Sequence, residues 1–152
     1  RGFTSHQQTK TKEKPMTIRI KHEGLAVSMN PMFTLYIADL IAPFANNEAV
    51  VLNFRDPDYS ADDGGYHPVE MRLENDGDGW RFCYITDYCY VGSGYIAELA
   101  KDLDFDFDAG VFQNLLGTYP IEQAIEMFQV WESNFVYYAM VSKVFTIQAL
   151  AD

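Results

Sequence analysis

The sequence predicts an α+β domain: a mostly antiparallel, twisted sheet packed with an N-terminal helix and a long C-terminal helix. Three observations carry this. Apolar and polar residues alternate through Val69–Glu74 and again from Trp80, with a turn rich in Asn, Asp and Gly between them. An apolar stripe at helical spacing runs through Ile121, Ala124, Ile125, Phe128, Trp131 and Phe135. The remaining strand-like segments follow one another through short turns, which favours antiparallel pairing.

From the N-terminus, Thr17–His22 alternates and reads as a short strand. Asn30 and Pro31 open a helix, Asn as N-cap and Pro at the first helical position. Phe33, Tyr36, Ile37, Leu40 and Ile41 continue it until Pro43, and Asp39 is its one charge, so the helix is expected to be largely buried. Asn46–Asn47 turns the chain into a buried strand over Ala49–Phe54, and Asp56–Gly65 is a loop by composition. Val69–Glu74 and Trp80–Ile85 form a hairpin across Asn75–Gly79, and the second strand extends through Tyr88 and Tyr90 with a bend at Asp87. Gly92–Gly94 breaks it, and Tyr95–Lys101 is read as one or two helical turns. A further alternating segment, Asp102–Asp108, turns through Ala109–Gly110 into a strand over Val111–Leu116. Pro120 opens the long helix, expected to reach Tyr138, and Lys143–Ala149 closes the chain as a strand.

Apolar residues make up 48% and aromatics 15% of the 152 residues, ample for one packed core and incompatible with disorder throughout. The net charge is −11, unevenly placed. Residues 1–21 hold six basic groups against Glu13 alone, whereas residues 22–152 hold 21 acids against Arg55, Arg72, Arg81, Lys101 and Lys143. The chain therefore divides into a flexible polar and basic tail, residues 1–16, and a single acidic domain, residues 17–152. An acidic body excludes direct binding of nucleic acid or of anionic membranes through that surface, since phosphates need clustered Lys and Arg. The most apolar window, Gly24–Ala38, is interrupted by Asn30–Pro31 and too short to span a bilayer. With Cys83 and Cys89 unable to pair along one strand, and no apolar leader, a cytoplasmic location is expected.

The stretches NFRDPDYSADDGGYHPVEMRLE, YITDY, ELAKDLDFDFDAGVFQ and PIEQAIEMFQVWESNFVYY resemble a bacterial family of domains of unknown function, number 2787. The resemblance covers residues 17–149. It implies a small intracellular bacterial protein, of a kind found in mobile genetic islands, and transfers no catalytic residue or cofactor. A fainter similarity, carried by acidity, the order helix–sheet–helix and Gly77-Asp78-Gly79-Trp80, is to the mitochondrial acidic matrix protein family. That family implies a twisted antiparallel sheet in a ring-shaped trimer, although the strand expected after the long helix departs from its pattern.

Two acidic clusters stand out. Asp102, Asp104, Asp106 and Asp108 are expected to project from one strand face at ~6.6 Å intervals. Ala109 and Leu115 occupy positions where an EF-hand requires Gly and Glu, so that reading fails. A solvated face comes first, a surface for a basic partner second. Asp56, Asp58, Asp62 and Asp63, near His67, form an acidic loop that could also hold a divalent ion. Trp131, Phe135, Tyr137 and Tyr138 present more aromatic surface than one helix face buries and are candidates for an interface. No residue is assigned as catalytic, cofactor-binding or metal-ligating, and no cofactor is expected. The expected function is a non-enzymatic protein-interaction module, a homo-oligomer with a basic partner. The alternatives are a nucleic-acid mimic built on the Asp102–Asp108 row and a metal-dependent hydrolase built on the Asp56–His67 loop.

Overall fold

A computed structural model describes residues 18–152. It contains a seven-stranded, wholly antiparallel sheet with two helices on one face, the α+β architecture expected. The elements are α1 (Pro31–Ile41), β1 (Ala49–Arg55), β2 (Val69–Asn75), β3 (Trp80–Val91), β4 (Glu98–Asp106), β5 (Val111–Asn114), β6 (Thr118–Pro120), α2 (Ile125–Val136) and β7 (Thr146–Ala151). The strand order is β6-β5-β4-β3-β2-β1-β7. Every neighbour is the next in sequence except β7, which returns to pair with β1 at the far edge. The chain between β6 and β7 must therefore cross the whole sheet. Six strand spacings are about 29 Å. A 3-10 turn (Ile121–Ala124), α2 and a π turn (Tyr137–Val141) form one nearly continuous helical rod of roughly 31 Å that makes the crossing.

The core lies between the sheet and the two helices. Phe33 of α1 is fully buried and stacks on Phe82 of β3 at 5.7 Å, with Phe128, Trp131 and Phe135 of α2 set edge-on around it. Phe105 of β4 meets Phe128, and Phe54 of β1 meets Phe135, so the stripe read from the sequence is the face that α2 buries. Asn30 caps α1 as expected: its side-chain oxygen accepts the Met32 N–H at 2.8 Å. The backbone N–H of Asn30 donates to buried Glu132 at 2.8 Å, tying the start of α1 to α2.

Four local expectations are corrected. Thr17 lies outside the described residues, as does the whole tail over 1–16, and 18–22 contributes only a bridge from Ile20 to Trp80 rather than a strand. That segment passes so close to the hairpin that a Cβ at Gly79 would sit 2.8 Å from the Lys21 side chain. Tyr95–Lys101 is not helical beyond a short 3-10 turn at Gly94–Ile96: Glu98 to Lys101 already pair with β3. The strand from Val111 stops at Asn114, leaving Leu115 and Leu116 exposed. The last strand begins at Thr146 instead of Lys143, because Ser142–Phe145 leads the chain out of the π turn, with Lys143 at positive φ.

Two register shifts interrupt the regular pairing of β3 with its neighbours. Between β2 and β3, Arg72 faces Tyr84 and Leu73 faces Phe82, so Cys83 is an extra residue. Between β3 and β4, Asp87 faces Leu103 and Tyr88 faces Lys101, so Asp102 is the extra one.

Candidate functional site

On β3, Phe82 and Ile85 point into the core, and Asp87 follows Ile85 on the same face. A carboxylate at a core position must be satisfied or it destabilises the fold. Asp87 is 9% exposed and has two donors: His67 Nδ1–H reaches Oδ1 at 2.7 Å, and Trp131 Nε1–H reaches Oδ2 at 3.0 Å. His67 ends the 56–65 loop just before β2, and Trp131 descends from α2, so three separate segments converge on one carboxylate.

Asp102 is the fourth member. Its Oδ2 lies 3.5 Å from His67 Nδ1. Ordinary alternation would have placed it with Asp104 on the opposite face of the sheet; the bulge reverses its direction. The donor atoms of His67, Asp87 and Asp102 all lie within 4.8 Å of one another. The hydrogen bond to Asp87 holds the His67 imidazolium above its usual range, opposed by burial and reinforced by the charges of Asp87 and Asp102. Burial pushes the Asp102 carboxyl up, the negative charge of Asp87 adds to this, and His67 opposes it. The Tyr59 ring packs 5.6 Å from that of His67, and its hydroxyl accepts the Tyr90 N–H at 3.0 Å.

His67, Asp87 and Trp131 form the floor of a cleft of about 380 Å³ between the loop and α2, and Asp102 meets that floor through His67. The walls of the cleft are apolar and aromatic, chiefly Tyr66, Leu103, Met127, Val130, Tyr138 and Phe145, and among the described residues no Lys or Arg lines it. Tyr66 and Tyr138 touch edge-on at 4.7 Å across one end.

The acidic residues singled out from the sequence separate into different roles. The row over Asp102–Asp108 does not exist as a single face. Asp102 turns to His67; Asp104 is buried on the other face, accepting Thr86 Oγ1–H at 2.8 Å and Lys101 Nζ at 3.3 Å. Asp106 accepts the Ala109 N–H in the β4–β5 turn at 2.9 Å, and Asp108 pairs with Arg81. The even spacing that a nucleic-acid mimic would use is thereby lost at these four positions. In the loop, Asp56 is structural: it accepts the N–H groups of Asp58 at 2.9 Å and Tyr66 at 3.0 Å. Asp58, Asp62 and Asp63 are exposed on the segment that leads into the cleft wall. They do not join His67 in one cluster; its carboxylate partners are Asp87 and Asp102 instead.

The interface aromatics also divide. Trp131 and Phe135 are core residues, stacked on each other at 5.0 Å, with only Trp131 Nε1 turned to the site. Tyr138 is half-buried in the cleft wall and Tyr137 is exposed. Asp87 was missed because nothing around it in sequence marks it as special. The signal was its register: a lone acid at a core position of an aromatic strand.

A family model described as a protein of unknown function (DUF2787) matches residues 25–150. Two solved structures from Vibrio cholerae are similar throughout. The hypothetical protein VC0508 of the VSP-II pathogenicity island is 32% identical with a TM-score of 0.78, the match covering 89% of this chain and 99% of that one. The conserved hypothetical protein VC1805 of pathogenicity island VPI-2 is 38% identical with a TM-score of 0.75, over 86% and 99% of the two chains. The latter is described as sharing structural homology with the human P32 protein, which agrees with the fold-level likeness to the mitochondrial acidic matrix proteins. No curated protein matches the chain.

Proposed function

Because the chain belongs to the DUF2787 family, described only as proteins of unknown function, its role has to be argued from geometry, and we propose a non-enzymatic interaction module that seats a basic, partly apolar segment of a partner protein in the cleft beside the 56–65 loop. One observation carries this reading. An apolar, aromatic-walled cleft, with no Lys or Arg in its lining among the described residues, is lined in part by Gly65 and Tyr66, at the end of the loop that carries exposed Asp58, Asp62 and Asp63. Such a surface offers apolar contact to an anchor side chain and a negative rim to the charges flanking it. Exposed Met127 and Val130 extend the apolar contact along α2.

Covalent catalysis is disfavoured by the chemistry of the nearest thiol. Burial, then the charges of Asp102 and Asp87, push Cys89 above its usual range, so the thiolate that a nucleophile needs is suppressed.

The test uses fluorescence anisotropy with a labelled peptide alternating Lys or Arg with Leu or Phe, against an acidic peptide of the same apolar content. The basic peptide is expected to bind and to weaken as salt rises. Replacing Asp58, Asp62 and Asp63 together by Asn should weaken it about tenfold, three rim charges at about 0.5 kcal/mol each. Equal binding of both peptides, or indifference to salt and to the triple substitution, overturns the reading. Native mass spectrometry on the same samples reads self-association separately.

A further inference from the structure

We infer that His67 Nδ1, Asp87 Oδ1 and Asp102 Oδ2 form a binding site for one divalent first-row transition-metal ion beside the floor of the cleft, with Zn²⁺ as the probe. This goes beyond the partner reading, which rests on the rim and the walls.

The donor set is specific. One imidazole nitrogen and two carboxylate oxygens suit Zn²⁺, Co²⁺ or Mn²⁺, whereas Ca²⁺ and Mg²⁺ prefer oxygens alone and more of them. The three donors come from the loop, β3 and β4, and β3 and β4 are directly paired, so two of the ligands are fixed by the sheet itself.

Both separations from His67 are close to those around a bound ion, and all three donors lie within 4.8 Å of one another. Around a tetrahedral ion with bonds of about 2.0–2.1 Å, neighbouring donors stand about 3.3 Å apart. Nδ1 and Asp102 Oδ2 already stand 3.5 Å apart. Nδ1 and Asp87 Oδ1 are 2.7 Å apart because a proton lies between them, and exchanging that proton for the ion opens the pair by about 0.6 Å. Trp131 Nε1–H holds Asp87 Oδ2 at 3.0 Å, which orients the carboxylate so that Oδ1 faces the imidazole. Groups that orient a ligand in this way are a recurrent part of metal sites.

Charge points the same way. Among the described residues, the ion-pair partner of Asp87 and of Asp102 is His67 alone, with no Lys or Arg in reach. A buried and a half-buried carboxylate sharing one imidazole carry an excess of negative charge, which a divalent ion cancels. His67 and Asp87 line the cleft, so a fourth coordination position opens toward it.

The experiment is calorimetric titration of chelator-treated protein, without any peptide, with Zn²⁺, Mn²⁺, Ca²⁺ and Mg²⁺ in turn. One Zn²⁺ per chain is expected with a dissociation constant below about 10 µM, Mn²⁺ weaker, and Ca²⁺ and Mg²⁺ at least about 100-fold weaker. Asp102→Asn and His67→Gln should each weaken Zn²⁺ by about tenfold or more. Glu122→Gln, the same loss of charge on the exposed side of the rod, should leave it unchanged. Because Nδ1 must give up its proton, binding should also weaken as pH falls from about 8 to 6. Absence of Zn²⁺ binding, equal binding by both substituted proteins, or tighter Ca²⁺ than Zn²⁺ overturns the site. Peptide binding by the metal-free protein is read in a separate experiment, so either reading can fail alone.

Discussion

Replacing Trp131 by Phe tests whether the buried carboxylate of Asp87 is part of what holds α2 to the sheet. The substitution removes the Nε1–H donor, at 3.0 Å from Asp87, and keeps an aromatic ring among Phe33, Phe105, Phe128 and Phe135. A hydrogen bond to a charged acceptor contributes about 1.5–3 kcal/mol. At 6% exposure the space vacated by the second ring has no route to solvent, and such a cavity costs about 1 kcal/mol more at ~24 cal/mol per Å³. The expected loss is therefore about 2.5–4 kcal/mol, a large share of the stability of a domain this size, and it should lower Tm by about 5–15 °C. Urea unfolding at neutral pH measures it: the midpoint falls while the slope stays constant. To separate the bond from the cavity, the same measurement is made on Asp87→Ala and on the double variant. The bond appears as a coupling of at least about 1 kcal/mol between the two sites. Additivity within about 0.5 kcal/mol would refute the reasoning, because Trp131 would then be contributing packing alone.

Three further outcomes are expected. Asn30→Ala removes the acceptor of the Met32 N–H and should cost about 1 kcal/mol in chemical denaturation, whereas Asn30→Asp should stay within a few tenths; equal losses would show that the cap is not what matters. In a thiol assay of the native protein Cys89, half-buried and with its thiol raised less, should react slowly and Cys83 not at all, because burial pushes the Cys83 thiol up to about 12, and both should react readily in denaturant; rapid labelling of native Cys83 contradicts this. Raised by Asp87, His67 stabilises the fold fully below its unfolded value of 6.5, and that contribution is lost as pH rises through its higher folded value. Metal-free protein should therefore have a lower urea midpoint at about pH 8 than at about pH 6, and His67→Gln should flatten the difference; an unchanged slope would exclude His67 as its source.

Much of the architecture was legible because local pattern and tertiary packing agree. The β2–β3 hairpin is half-exposed, so its alternation survives in the sequence, and α1 carries both its N-cap and its stop in plain chemical form. The failures have physical causes. Glu98–Lys101 has the composition of a helix, yet the second half of β3 presents unpaired backbone there, and pairing of Val91 with Glu98 and Tyr90 with Leu99 outweighs the local preference. The end of the long helix was blurred because the rod continues as a π turn through Val141 before Lys143 turns the chain at positive φ. Neither event leaves a residue pattern that differs from an ordinary helix end.

The site was hidden by a single residue. Period-two reasoning assigns Asp102 to the face of Asp104 and Asp106, and one bulge moves it to the helix side, where it meets His67 and Asp87. The same parity argument reorders the charge of the whole domain. Arg55, Arg72, Arg81 and Lys101 flank core-facing positions of the sheet or pair with its outer carboxylates, so four of the five bases after residue 21 lie on the open face. There Glu74, Asp104 and Asp108 are partnered by them. Glu70 and Asp106 are bonded to the Tyr84 hydroxyl and the Ala109 N–H instead of to a base. Around the cleft, Asp87 and Asp102 share the single imidazole of His67, and the loop adds exposed Asp58, Asp62 and Asp63. Of the four aspartates in the Asp102–Asp108 row, Asp102 alone therefore belongs to the helix side of the sheet, where a proposed cationic ligand would meet it together with Asp87.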